Sequence, residues 1–217
     1  MRVPLLCLGI ACLALAGCAT PGQRYATDAE MAASHYREPG PNTLTLITMV
    51  SNRTGNGAHS ALLINAPGER VMFDPAGSFV LDGVPERNDV LYGITPQELA
   101  YYKSAHARST FHVVLQTVEV TPEQAQTALQ LAQREGHVAA LFCANSTSGV
   151  LRRVPGFGQI KQVMQPNALM NQFAQIPGVT TEKYFEDDEG NIQDGVAAVN
   201  AQKAAAEAAK AAQPFTN

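Results

Sequence analysis

The chain has no tryptophan, and aromatic residues make up only 6% of its 217 positions. A broad aromatic platform for stacking sugars is therefore excluded. Lys and Arg number 15 against 19 Asp and Glu, and the basic residues form no extended run. The electrostatic footprint of a nucleic-acid binder is missing, so no nucleic-acid partner is expected. The five histidines are scattered, which leaves no close set of zinc ligands. There is no His-Glu-x-x-His, no Gly-x-Ser-x-Gly and no phosphate-binding Walker loop. Gly55-Asn56-Gly57 lacks the third glycine of a dinucleotide fingerprint and lies between strand-like segments. No metal or cofactor is expected. The longest apolar stretch, Leu5 to Ala16, is too short to cross a bilayer as a mature helix.

Cysteine is scarce too, with four residues. Arg2, the apolar stretch containing Cys7 and Cys12, and the small residues after it make residues 1–17 a secretory signal. Leu15-Ala16-Gly17-Cys18 resembles the processing box of bacterial lipoproteins. The resemblance implies cleavage before Cys18 and acylation of its thiol, palmitate included. Two or more acyl chains on one residue give stable membrane attachment. Ala19, a small residue after the cysteine, implies by the same resemblance an outer-membrane location with the domain in the periplasm. Removing residues 1–17 leaves 200 residues and moves the formal charge from -4 to -5, because Arg2 is lost. That length suits one domain with a sizeable core. Residues 18–42, rich in Ala, Thr, Pro and Gly, read as the lipidated tether. As a flexible coil they would reach roughly 25–30 Å.

Cys143 then has no intramolecular partner. An unpaired cysteine in an exported protein is a reactive thiol, an intermolecular bridge or a buried inert residue.

Residues 43–185 carry mixed signals and form the expected domain. Thr43 to Val50, Ala58 to Ile64, Glu69 to Asp74 and Thr110 to Val120 are β-branched or alternating and predict strands. The short connections favour an antiparallel meander. Thr95-Pro96-Gln97-Glu98 opens a helix through about Ala105, and Thr121-Pro122-Glu123 opens another. Ala125, Ala128, Leu129 and Ala132 form the buried stripe of the second, and Gly136 ends it. A helix is expected to start near Cys143, and one more over Pro166 to Phe173. The fold class is therefore α+β, an antiparallel sheet with packed helices. Residues 186–217 open with an acidic turn and end in an alanine-rich run that is helical or disordered, with no large apolar face to dock.

The chemistry points to Cys143 and His59. A cysteine nucleophile must be a thiolate near neutral pH, and a helix N-terminus and an imidazole both favour that form. The Cys143 main-chain N–H would serve as an oxyanion donor, and Asn145 or Ser146 would cap the helix. His59, on a strand with small neighbours, can approach another element closely. Asp74, ending the next strand before Pro75, is the choice for orienting the imidazole. His112 is expected on an exposed strand face. His35, His106 and His137 fall in the tether, a helix end and a loop.

A strand His first, a polar orienter on the neighbouring strand next, and a Cys at a helix start much later resembles the circularly permuted papain-like order. That order is found in permuted NlpC-type peptidases and amidases and in the lecithin:retinol acyltransferase relatives. The resemblance covers about residues 43–160. It implies Cys143 as nucleophile, His59 as base and Asp74 as orienter. The family more often has His, Asn or Gln as orienter, on a closer spacing. Phe142-Cys143-Ala144-Asn145 matches the acyltransferase motif only in outline. The resemblance implies thiol-dependent hydrolysis of an amide. The envelope location suggests a peptidoglycan stem peptide as substrate. The alternatives are a non-catalytic envelope binding or assembly lipoprotein, and an acyl-lipid hydrolase or acyltransferase.

Overall fold

The computed structural model describes residues 25–212. The expected signal, residues 1–17, and the expected lipidation site, Cys18, lie outside the described residues. Seven strands are β1 (Thr43–Ser51), β2 (Gly57–Asn65), β3 (Arg70–Phe73), β4 (Glu86–Arg87), β5 (Val90–Tyr92), β6 (Phe111–Glu119) and β7 (Thr180–Tyr184). Six helices are α1 (Asp28–Ala33), α2 (Pro96–His106), α3 (Pro122–Glu135), α4 (Cys143–Leu151), α5 (Pro166–Phe173) and α6 (Ile192–Ala211). The strands form one open antiparallel sheet in the order β4-β5-β3-β2-β1-β6-β7. The fold is α+β.

Strand alternation decides what each sheet face buries. Leu44, Leu46, Leu62, Ile64, Val71 and Phe73 point to one side. There they meet the stripe of α3 (Ala125, Ala128, Leu129, Ala132), Val150 and Leu151 of α4, and Leu169 and Phe173 of α5. Ile47, Ala61, Leu63, Met72, Val113 and Leu115 point to the other side, against Tyr102 and Ala105 of α2 and Val199 of α6. The sheet is thus a middle layer between two layers of helix.

Local signals set the helix starts. The Thr95 side chain accepts the Glu98 N–H, and Pro96 opens α2. Thr121 and Gln124 form a reciprocal capping box for α3. Gly136, at φ 77°, ends α3.

Two expectations are corrected here. From Tyr25 onward, the stretch expected to be a tether is packed on the domain. Tyr25 bridges Arg87, the Arg70 N–H donates to Tyr36 O at 2.6 Å, and Asn65 holds the main chain of Glu38 and Pro41. The alanine-rich tail also docks. Its helix α6 lies on α2 with Val199 fully buried, and Gly195 sits so close to Ala105 and Arg108 that a Cβ would overlap them. Asn200 donates to Val80 O at 2.9 Å and accepts the Asp82 N–H at 2.8 Å. Small residues and polar clasps do the docking that a broad apolar face usually does.

Candidate active site

β3 ends at Phe73, which pairs with Leu62, so β2 has no β3 partner from Ala61 back towards Gly57. The first turn of α4 fills that gap. Cys143 is its first residue and is 7% exposed. His59 and the main-chain N–H groups of Ser60 and Ala144 surround its thiol closely enough to stabilise its charge. The capping expected from Asn145 or Ser146 is not seen. Both lie inside α4, the N-cap is Phe142, and no side chain caps the helix. Ser146 Oγ instead donates to Glu135 at 3.0 Å, and Asn145 accepts from Gln162. The first-turn N–H groups of α4 are therefore left for the thiol and for an incoming anion.

His59 and Asp74 meet as the strand pairing suggests. Continuing the register by one step sets Asp74 opposite Ala61, diagonal to His59 on the same face. His59 Nε2 lies 2.6 Å from Asp74 Oδ1. That contact leaves Nδ1 as the ring nitrogen for the thiol. The structure thus brings the three sequence-derived residues together in the order thiol, imidazole, carboxylate.

The electrostatics follow from burial and pairing. Burial alone would drive His59 towards the neutral form. The Asp74 carboxylate, with a smaller contribution from Cys143, overrides it and raises the His59 pKa to about 10. Burial pushes the Cys143 thiol up, but His59 and then the Ser60 and Ala144 N–H groups bring it below its ordinary value. Burial likewise raises Asp74, and the charge and hydrogen bond of His59 carry it below the usual carboxylate range. The arrangement favours a thiolate–imidazolium pair held by a buried carboxylate.

Three further residues complete the site. Tyr102 of α2 donates its hydroxyl to the same Asp74 Oδ1 at 2.9 Å. Burial and the Asp74 charge hold its phenol well above the ordinary range, so it stays a donor. Gly77 lies so close beneath Asp74 that a Cβ there would overlap the carboxylate. His106, expected only at a helix end, is 2% exposed and stacks on Tyr102 with ring centroids 4.0 Å apart. Its ring lies 6.0 Å from that of His59. Its Nδ1 donates to Tyr102 O at 2.8 Å, and its buried Nε2 has no partner among the described residues. Sequence spacing did carry a trace of this wall, since Tyr102 and His106 are four apart on one helix face.

The remaining histidines stand elsewhere. His112 is not the freely exposed residue expected, for it stacks on Phe185 at 4.5 Å and bonds Asn52 at 2.6 Å. His35 lies beside α1, among Glu69, Tyr92 and Gln133 rather than with Cys143, His59 and Asp74.

Burial lowers the His106 pKa from 6.5 to about 4 against the pull of Asp74. A depressed histidine means that the unfolded chain binds more protons between those two values, so folding stability falls on acidification. His59 is protonated in both states well below pH 6.5, and close to 6.5 its raised pKa adds only a small slope of opposite sign. Acidification from pH 6.5 to 4 is expected to cost up to about 3 kcal/mol through His106. Urea unfolding across that range should show this slope in the native protein and its loss in His106→Phe. Equal slopes in both would show that His106 is not held neutral.

Compared with family models, curated proteins and solved structures, the chain matches none.

Proposed function

We propose that the chain is a cysteine hydrolase with a circularly permuted papain-like architecture, carried on an outer-membrane lipoprotein anchored at Cys18. The observation that carries the reading is the continuous line from the Cys143 thiol through His59 to Asp74, with the thiol at an uncapped helix start. An imidazole in reach of the thiol favours this over a non-catalytic binding protein.

The Cys143 thiolate attacks an amide carbonyl and forms a carbon–sulfur bond. The Cys143 main-chain N–H faces the developing oxyanion. His59 gives its proton to the departing amine, and the carbon–nitrogen bond breaks. Water, deprotonated by His59, then attacks the thioester, and carboxylate and thiol are released. Asp74 holds the imidazole throughout, and Tyr102 fixes Asp74. The envelope location supports a peptidoglycan stem peptide as the amide substrate. Incubation with purified peptidoglycan should release new free amino groups, with none from Cys143→Ala protein. Absence of release by the native protein would remove the stem peptide as substrate.

One observation favours a second substrate. Leu141 is 85% exposed and Phe142 is 45% exposed, directly before the nucleophile. An exposed apolar lip beside the nucleophile suits an acyl-lipid hydrolase. Free fatty acid from phosphatidylethanolamine vesicles, with no amine released from peptidoglycan, would select that reading.

A further inference from the structure

Asp89 is only 6% exposed, and its carboxylate takes no part in the proton chain. Its Oδ2 accepts the Ala76 N–H at 3.0 Å and the Val138 N–H at 2.9 Å. Its Oδ1 lies 2.9 Å from His137 Nδ1. Its main-chain oxygen accepts the Asp74 N–H at 2.8 Å. A single residue thus joins the turn that presents the orienting carboxylate to the loop that leads into Cys143.

The backbone carries a second, independent sign. Asn88 and Asp89 are the two-residue loop of the β4–β5 hairpin, at φ 51° and 60°. Such a loop needs left-handed residues, and glycine would fill the second position with less strain. Ala76 stands at φ 57° in the turn after Asp74. Leu141 stands at φ 75° in the turn closed by the Phe142 N–H on Ala139 O. These four are the non-glycine residues with left-handed φ among the described residues, and all fall in the three loops that meet here. Strain persists where surrounding bonds over-determine the backbone, and it gathers at functional sites.

We infer that Asp89 is a positioning residue that ties the Asp74 turn to the Cys143 loop and so sets the spacing of thiol, imidazole and carboxylate. The inference rests on the catalytic reading of those three residues. A buried carboxylate accepting two main-chain N–H groups resists displacement of either loop, because each freed N–H would stay buried and unpaired. At a position whose φ favours glycine, the aspartate side chain supplies two main-chain bonds that glycine cannot.

Asp89→Gly separates the two roles, since it relaxes the hairpin turn while cutting the tie. Amide hydrogen exchange at Ala76 and Val138 should accelerate about 10-fold or more, with the strands of the sheet unchanged. The pH midpoint of iodoacetamide labelling at Cys143 should rise towards the ordinary thiol value of about 8.5. Asp89→Asn should restore both properties, because one amide oxygen can accept both N–H groups while its NH₂ faces His137. Unchanged exchange at Ala76 and Val138 in Asp89→Gly would overturn the inference. Faster exchange with an unmoved midpoint would also overturn it, leaving Asp89 as a structural tie alone. An ordinary midpoint in the native protein would instead defeat the hydrolase reading. Exchange in Asp89→Gly would still show whether the two loops are joined, and unchanged rates would reject the tie as well.

Discussion

Replacing Cys143 with alanine is expected to lower acyl transfer by about 10⁴-fold or more, because an alanine side chain cannot form the thioester intermediate. Turnover of p-nitrophenyl acetate by the native protein should show a burst, and the acetyl group should be found on Cys143 by mass spectrometry. The alanine protein should show neither. Its stability should change by only about 1 kcal/mol, since a thiol is a small group to remove from a buried position. Melting and turnover therefore respond in opposite proportion. A Cys143→Ala protein that keeps the burst would show that Cys143 is a small buried filler and that the acetyl group goes elsewhere.

Asp74→Asn should cost about 10²–10⁴-fold in the same assay, as loss of the orienting carboxylate does in triads. The amide can still accept one hydrogen bond, but it carries no charge. Burial, which on its own drives His59 towards neutrality, would then be opposed only by the smaller pull of Cys143. The thiol would lose its imidazolium partner and return towards the protonated form. Tyr102 would lose its charge-assisted bond as well. Kinetics across pH, beside a thermal melt, make the check. Unaltered turnover with lowered stability would mean that Asp74 serves only the turn that runs through Ala76 and Gly77.

The order His59, Asp74, Cys143 was legible in the sequence because each residue lies at a marked place, a strand, a strand end and a helix start. The long strands β1, β2 and β6 and the capped helices α2 and α3 were legible for the same reason, since period and cap residues are local. β4 and β5 hold two and three residues, too few to show a period. β7 has an exposed Thr-Thr-Glu-Lys face, so it carries no apolar alternation. The docking of α6 was hidden because it works through Gly195 against Ala105 and through Val196 and Val199 rather than through a broad apolar stripe. Tyr102, His106 and Asp89 were missed because their importance comes from burial among distant segments. Asn88-Asp89 reads weakly as a turn beside the Asn-Gly that such hairpins prefer.

The central claim is that His59 holds Cys143 as a thiolate within the folded protein. The most direct measurement is the rate of iodoacetamide alkylation of Cys143 against pH in the native protein and in His59→Ala. The expected result is a midpoint below the ordinary thiol value of about 8.5 in the native protein, raised by the substitution. A thiol that labels only after denaturation, or at the same midpoint in both proteins, would contradict it.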